Sequence, residues 1–229
     1  YRYSNKPYIS VELSFEALIP ASIPDSLAAK LREYYTQKLK GDLSAHDKIE
    51  FEISHNCYDF SMHSRLLELR QDGFDDKEIS ELEDALKQLT QRTITNYSKV
   101  LSSDLEDLKK LESIRLDIQN ISCGSSDIKL IARAVHTLLD AVDRFGTPQF
   151  SRHARCAFIA KSLCRSLSAE KYISTEIVNH FMSDISTIAV EYDKDYNDVF
   201  SGNLSKEMFM LKYGHLRTGT YNIRSPRYD

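Results

Sequence analysis

Residues 127–148 read DIKLIARAVHTLLDAVDRFGTP, and this stretch decides the fold class. Its apolar residues Ile128, Ile131, Val135, Leu138, Val142 and Phe145 recur at alternating steps of three and four, the spacing that puts side chains on one face of an α-helix. Asp127 stands where an N-cap is expected, and Gly146-Thr147-Pro148 supplies both a stop and the first turn of the next helix. Working outward, Pro148 opens a helix expected to run through Leu167. Upstream, Leu101, Leu105, Leu108, Leu111, Ile114, Ile118 and Ile121 form a seam ending before Gly124, with a break expected near Ser102 and Ser103. Ile79, Leu82, Leu86 and Leu89 follow an acidic first turn at Asp75 and Asp76, and Ser61–Arg70 reads as a short helix ended by Gly73. Downstream, Val178, Phe181, Ile185, Ile188 and Tyr192 repeat the seam in one helix up to Gly202, and SKEMFMLKYG forms a short last one.

The first 60 residues read differently. Ile9, Val11, Leu13 and Phe15 alternate with polar residues across Tyr8–Phe15, as do Ile49, Phe51 and Ile53 with Glu50, Glu52 and Ser54. Alternation is the period of a half-buried strand, so these runs are expected to pair as a two-stranded antiparallel element. Between them Pro24, Asp25 and Ser26 open a helix whose apolar face is Leu27, Leu31, Tyr34, Tyr35 and Leu39, stopping at Gly41. The expected fold is mainly α, an antiparallel helical bundle with a small two-stranded β element near the N-terminus. Residues 1–60 form a β-α-β opening segment, 61–213 the bundle, and 214–229 a cationic loop and tail leading to a further domain.

Composition narrows the function classes. The 229 residues hold 7 Gly and 5 Pro; glycine at roughly 3% is under half the usual share of about 7%. Neither GxGxxG nor GxxxxGK[ST] occurs, so the common phosphate-cradling loops are missing from this chain. A net charge of −4 disfavours a broadly basic nucleic-acid binder. Four cysteines without a CxxC pair fit a reducing cytoplasm rather than a disulfide framework, and no apolar run predicts a membrane span. The chain begins at Tyr1, not Met, which reads as a piece of something longer.

Two cationic regions stand out. Lys212, Arg217, Arg224 and Arg227 are accompanied by His215, Tyr213, Tyr221 and Tyr228, with Gly214 and Gly219 bracketing His215 and Arg217. This is either a solvated terminus or a loop whose backbone and cations converge on an anion. In the helix after Pro148, Arg152 and Arg155 fall on or beside the apolar stripe and near the N-terminus, where the dipole disfavours a cation. A buried carboxylate or a bound anion would account for them. His55, in SHNCYDF with Cys57, Tyr58 and Asp59, is placed to line a pocket. Cys156 and Cys164 read as small core residues, and Glu191, Asp193, Asp195 and Asp198 as a solvated face. No His, Cys or acidic spacing predicts a metal site.

The closing segment KYGHLRTGTYNIRSPRYD resembles the Lys-Tyr-Gly-His-Leu-Arg-Pro-Gly-Thr-Tyr-Asp-Ile signature of the phosphoenolpyruvate synthase and pyruvate phosphate dikinase family. PYISVELSFEALIPASI, HDKIEFEISHNCYDF, GFDDKEISELEDAL and FGTPQFSRHARCAFIAKSL also resemble stretches of these phosphoenolpyruvate-utilising enzymes, most closely the phosphoenolpyruvate synthase-like branch that includes small-molecule kinases such as glutamine kinase, and a shorter Tyr-Gly-His-Arg form is similar to that of rifampin phosphotransferase. The resemblance places the chain in the helical middle region of such an enzyme, between an ATP-grasp domain and a swivelling phosphohistidine domain of the same chain. It implies an ATP-dependent phosphotransferase, with ATP and Mg held by those other domains, no cofactor in this one, and a small-molecule acceptor bound here. His215 and Arg217 would be its catalytic residues; Arg152, Arg155, His55, Tyr58, Lys212, Tyr213 and Tyr221 would bind substrate. Thr218 replaces the usual proline and Asn222 the usual aspartate, which loosens the loop and removes a carboxylate from it. A non-catalytic interdomain scaffold, or a stand-alone helical adaptor, remains the alternative.

Overall fold

The computed structural model describes residues 2–3, 6–7, 9–122, 124–218 and 224–229 and is mainly helical. The chain gathers into two compact units, residues 15–172 and residues 1–14 with 173–229.

In the larger unit α1 (Val11–Glu16) ends and α2 (Asp25–Gly41) follows. Leu27, Leu31, Tyr35 and Leu39 occur every fourth residue of α2 and are buried together, as their spacing predicts. They pack with Phe15, Leu66, Leu69, Phe74, Leu82 and Leu86 in the main core. Those partners come from α3 (Met62–Leu67), its 3₁₀ continuation Glu68–Asp72, and the start of α4 (Asp76–Ser122).

The predicted β element, 8–15 paired with 49–53, is not formed. Residues 11–16 are helical, with the Ser10 hydroxyl accepting the Leu13 N–H at 3.3 Å. Ile9, Val11 and Leu13 are exposed, and Phe15 alone of that alternation reaches the core. Residues 49–53 form one π turn, closed by the Ser54 N–H on the Ile49 carbonyl at 2.8 Å. Ile49 and Ile53 turn into the core while Phe51 meets Phe158, ring centroids 5.2 Å apart. The alternation therefore marks a turn with apolar contacts on two sides, not a strand. Tyr8 lies outside the described residues; a two-residue antiparallel ladder, Arg2–Tyr3 with Lys6–Pro7, precedes it.

Helix α4 runs 47 residues, about 70 Å at 1.5 Å per residue, through the expected break. Ser102 stays helical by donating its hydroxyl to the Ser98 carbonyl at 3.0 Å. Asp127 caps α5 (Ile128–Phe145), accepting the Lys129 N–H at 2.9 Å, and α6 (Thr147–Ala169) follows after one residue. The partners of these helices fix their direction. Phe145 lies against Lys110, Gln149 donates to Asp107 at 2.9 Å, Arg152 grips Asp104, and His153 meets Tyr97 edge-on. As numbers rise along α5 and then α6, they fall along α4, so both helices lie end to end against it and antiparallel to it. A Cβ on Gly146, at the joint, would lie 3.0 Å from the Val142 carbonyl oxygen and 3.4 Å from Leu111. Small residues Ala134 and Ala141 are buried on α5, while Ile128, Ile131, Val135 and Val142 of the predicted seam stay exposed.

In the smaller unit the single expected helix is two, α7 (Thr175–Ser183) and α8 (Ile188–Phe200), because Thr187 caps a new start by accepting the Val190 N–H at 3.2 Å. In α9 (Lys206–Tyr213), Phe209 and Tyr213 pack on Tyr192 of α8, and Tyr196 also meets Phe209. Beyond α9 the tail returns: the N–H groups of Tyr228 and Asp229 both donate to the Gly214 carbonyl at 3.1 Å. A Cβ on Gly214 would sit 2.8 Å from the Asp229 Cβ, so this close return favours glycine.

Urea titration followed by helical circular dichroism is expected to show Leu66→Ala losing roughly 2–5 kcal/mol, the cost of a cavity in a packed core. Arg152→Met should lose roughly 1–3 kcal/mol, less than a fully buried pair because the Arg152 side chain is 45% exposed. Exposed Leu139→Ala should change stability by less than about 0.5 kcal/mol.

Candidate functional site

The π turn 49–53, the loop 54–61 and α6 enclose a cavity of about 270 Å³. His55, Cys57, Asp59, Arg65, Ser162 and Arg165 carry its chemistry. Asp59 is the centre of the site, with 2% of its surface exposed. Its carboxylate accepts from Arg65 Nη2 at 2.5 Å, from the Ser61 N–H at 3.0 Å, and from the Ser162 hydroxyl. A carboxylate removed from water is retained only with such partners. Two further bonds hold α6 to the loop, the Phe60 N–H to the Ser166 hydroxyl at 3.2 Å and the Ser61 hydroxyl to Glu170 at 3.0 Å.

His55 lines the cavity and is partly buried. Its N–H donates to the Tyr35 hydroxyl at 3.1 Å, and that hydroxyl lies 3.4 Å from Nδ1. Burial, then the charges of Lys38 and Arg65, lower its pKa to about 3, so the imidazole is neutral at physiological pH. It therefore acts as a hydrogen-bonding wall rather than a cation. Burial also pushes the Cys57 thiol up, which makes it a poor nucleophile.

The other sequence-predicted residues fall elsewhere. Tyr58 packs on the core with Lys87 over its ring at 5.0 Å, and its N–H donates to Thr90 at 2.8 Å; it does not line this cavity. Arg152 is taken up by Asp104, a residue 2% exposed, at 3.0 Å through Nε, and His153 joins them at 3.2 Å. Arg155 instead donates to the Ala17 carbonyl at 2.7 Å. In the smaller unit Lys212 bonds Glu191 and Asp195, each at 2.8 Å, and the two carboxylates raise its pKa. Tyr213 is buried and donates to Asp195 at 2.8 Å. His215 is exposed, and Arg217 forms a backbone bridge with Arg227. Tyr221, Gly219 and Asn222 lie outside the described residues. His55 thus belongs to the larger unit and His215 and Arg217 to the smaller.

Arg65, Ser162 and Arg165 were not legible as site residues. Arg65 and Ser162 reach Asp59 from 6 and 103 positions away, and no local pattern joins them. SHNCYDF did signal its side of the cavity. Among the described residues no three His, Cys, Asp or Glu side chains gather as a metal site, and no helix is long and apolar enough to cross a membrane. Comparison with protein-family models, curated proteins and solved structures gives no match to the chain.

The lowered pKa of His55 has a pH signature. The unfolded chain takes a proton on this residue near its ordinary value of 6.5, and the folded one only near about 3. Stability from this group is complete above the first value and is lost as pH falls toward the second, by at most about 1.4 kcal/mol per pH unit. His55→Gln should flatten the stability profile between those limits by close to one proton, read from urea midpoints across that range.

Proposed function

We propose that this chain is the acceptor-binding helical domain of an ATP-dependent phosphotransferase of the phosphoenolpyruvate synthase type, passing phosphate from ATP through a phosphohistidine to a small acceptor. The observation that carries the reading is the cavity around Asp59. Phosphoryl transfer asks for positioning, a group near the nucleophile and cations for the incoming charge. In this reading Asp59 and neutral His55 hydrogen-bond a small polar acceptor, and Arg165, at the cavity edge, meets negative charge. The cavity suits a molecule of few heavy atoms. ATP and Mg belong to the ATP-grasp domain of the same chain, and no step here is assigned to them. His215 and Arg217 are the candidates for contact with the phosphohistidine domain, and the setting is the cytoplasm.

One observation favours the second reading, a scaffold between those domains. Leu105, Leu116 and Ile121 of α4 and Ile128, Val135 and Leu139 of α5 leave an apolar surface uncovered, as a contact with a neighbouring domain requires.

Thermal shifts with a panel of amino acids, amides, pyruvate and phosphoenolpyruvate separate the two. Saturable stabilisation by one of them is expected, growing with the logarithm of ligand concentration. Arg165→Gln, at an exposed position, should reduce it without altering the unliganded transition. If no panel member binds, and Arg165→Gln leaves phosphate transfer by the full-length enzyme unchanged, the acceptor reading fails and the scaffold stands. Flanking codons that encode neither an ATP-grasp nor a histidine domain would exclude both.

A further inference from the structure

A second cavity, about 540 Å³, lies between α4, α6 and the Ala17–Leu18 segment. Its size is that of a small-molecule site. Leu18, Tyr97, Val100 and Phe150 give it an apolar wall, and Phe150 is 74% exposed, a large aromatic left facing open space. Its charged lining is of one sign. Arg92, Arg152 and Arg155 border it, and among the described lining residues there is no aspartate or glutamate, in a chain whose net charge is −4.

The three arginines are not equivalent. Asp104 neutralises Arg152. Arg155 is partly buried, yet it spends one donor on the Ala17 carbonyl, and no described carboxylate pairs with it or with Arg92. A guanidinium carries five N–H donors, so most of those on Arg155 remain for a partner. Burial lowers its pKa, the mark of a cation short of solvation. A carboxylate would supply what water no longer does, and would pair with the guanidinium fork through two parallel hydrogen bonds.

We propose that this cavity binds a small organic acid, with its aromatic body against Tyr97, Val100 and Phe150 and its carboxylate held by Arg155 and Arg92. The site is separate from the cavity around Asp59 and does not rest on the phosphotransfer reading.

The chain contains no tryptophan, so an indole ligand can be followed by its own fluorescence. The probe is indole-3-acetate, titrated with the full chain beside indole-3-acetamide and tryptamine. The acid should bind saturably, the neutral amide roughly tenfold or more weakly because it forfeits a charge-assisted bond, and the amine not at all. Arg92→Gln and Phe150→Glu, both at exposed positions, should each weaken the acid by roughly tenfold or more with circular dichroism unchanged. Arg165→Gln should leave it unaltered. Absence of saturable binding, equal affinity for acid and amide, or indifference to both substitutions overturns the proposal.

Discussion

The carboxylate of Asp59 is the constraint on which the larger unit depends. It sits in almost no water, and its stability there requires donors from a helix close in sequence, Arg65 on α3, and from one far away, Ser162 on α6. A hydrophobic contact tolerates sliding, but a buried charge does not, because each lost donor leaves desolvation uncompensated. Asp59 thereby fixes the depth at which α6 meets the loop 54–61, and with it the cavity that His55 borders. The main core of leucines and aromatics supplies most of the burial. The carboxylate decides how the second half of the unit is registered on it.

What was legible in the sequence is what depends on neighbours within a few residues. The apolar face of α2, the Asp127 cap and the Gly146-Thr147-Pro148 joint all came through because capping and helical period are local. The alternation at 49–53 misled because a π turn also sends every second side chain to an apolar contact, Ile49 and Ile53 to one side and Phe51 to another. The seam of α7 and α8 ran through a break because Thr187 caps a helix without disturbing the apolar spacing. The α5 seam was a true helix face, but its partner surface is small, so much of it stays uncovered.

The candidate site was half visible for the same reason. SHNCYDF marks one wall, whereas Ser162 and Arg165 join it only because the fold lays α6 over the loop. The misplaced arginines of α6 were resolved in two ways. Arg152 found its carboxylate in Asp104, while Arg155 did not find one. Two cavities flank Phe158, one whose carboxylates and guanidinium groups are mixed, with Asp59 paired to Arg65, and one whose charged lining is guanidinium alone, and this makes them chemically unlike although they share a side chain.

The end-to-end placement of α5 and α6 gives α4 a mechanical role. Gly146 interrupts one side of the pair, while α4 passes the same level without interruption, so the two sides differ in stiffness there. The turn at 124–127 lies about a quarter of the length of α4 beyond that level, which Leu111 marks. The hairpin thus has one unbroken member, α4, and on its other side a joint of a single residue between α5 and α6. The first polar ties beyond that joint are Asp107–Gln149 and Asp104–Arg152. The second of them anchors a residue that lines the arginine-rich cavity, so the joint and the cavity share one stretch of α6.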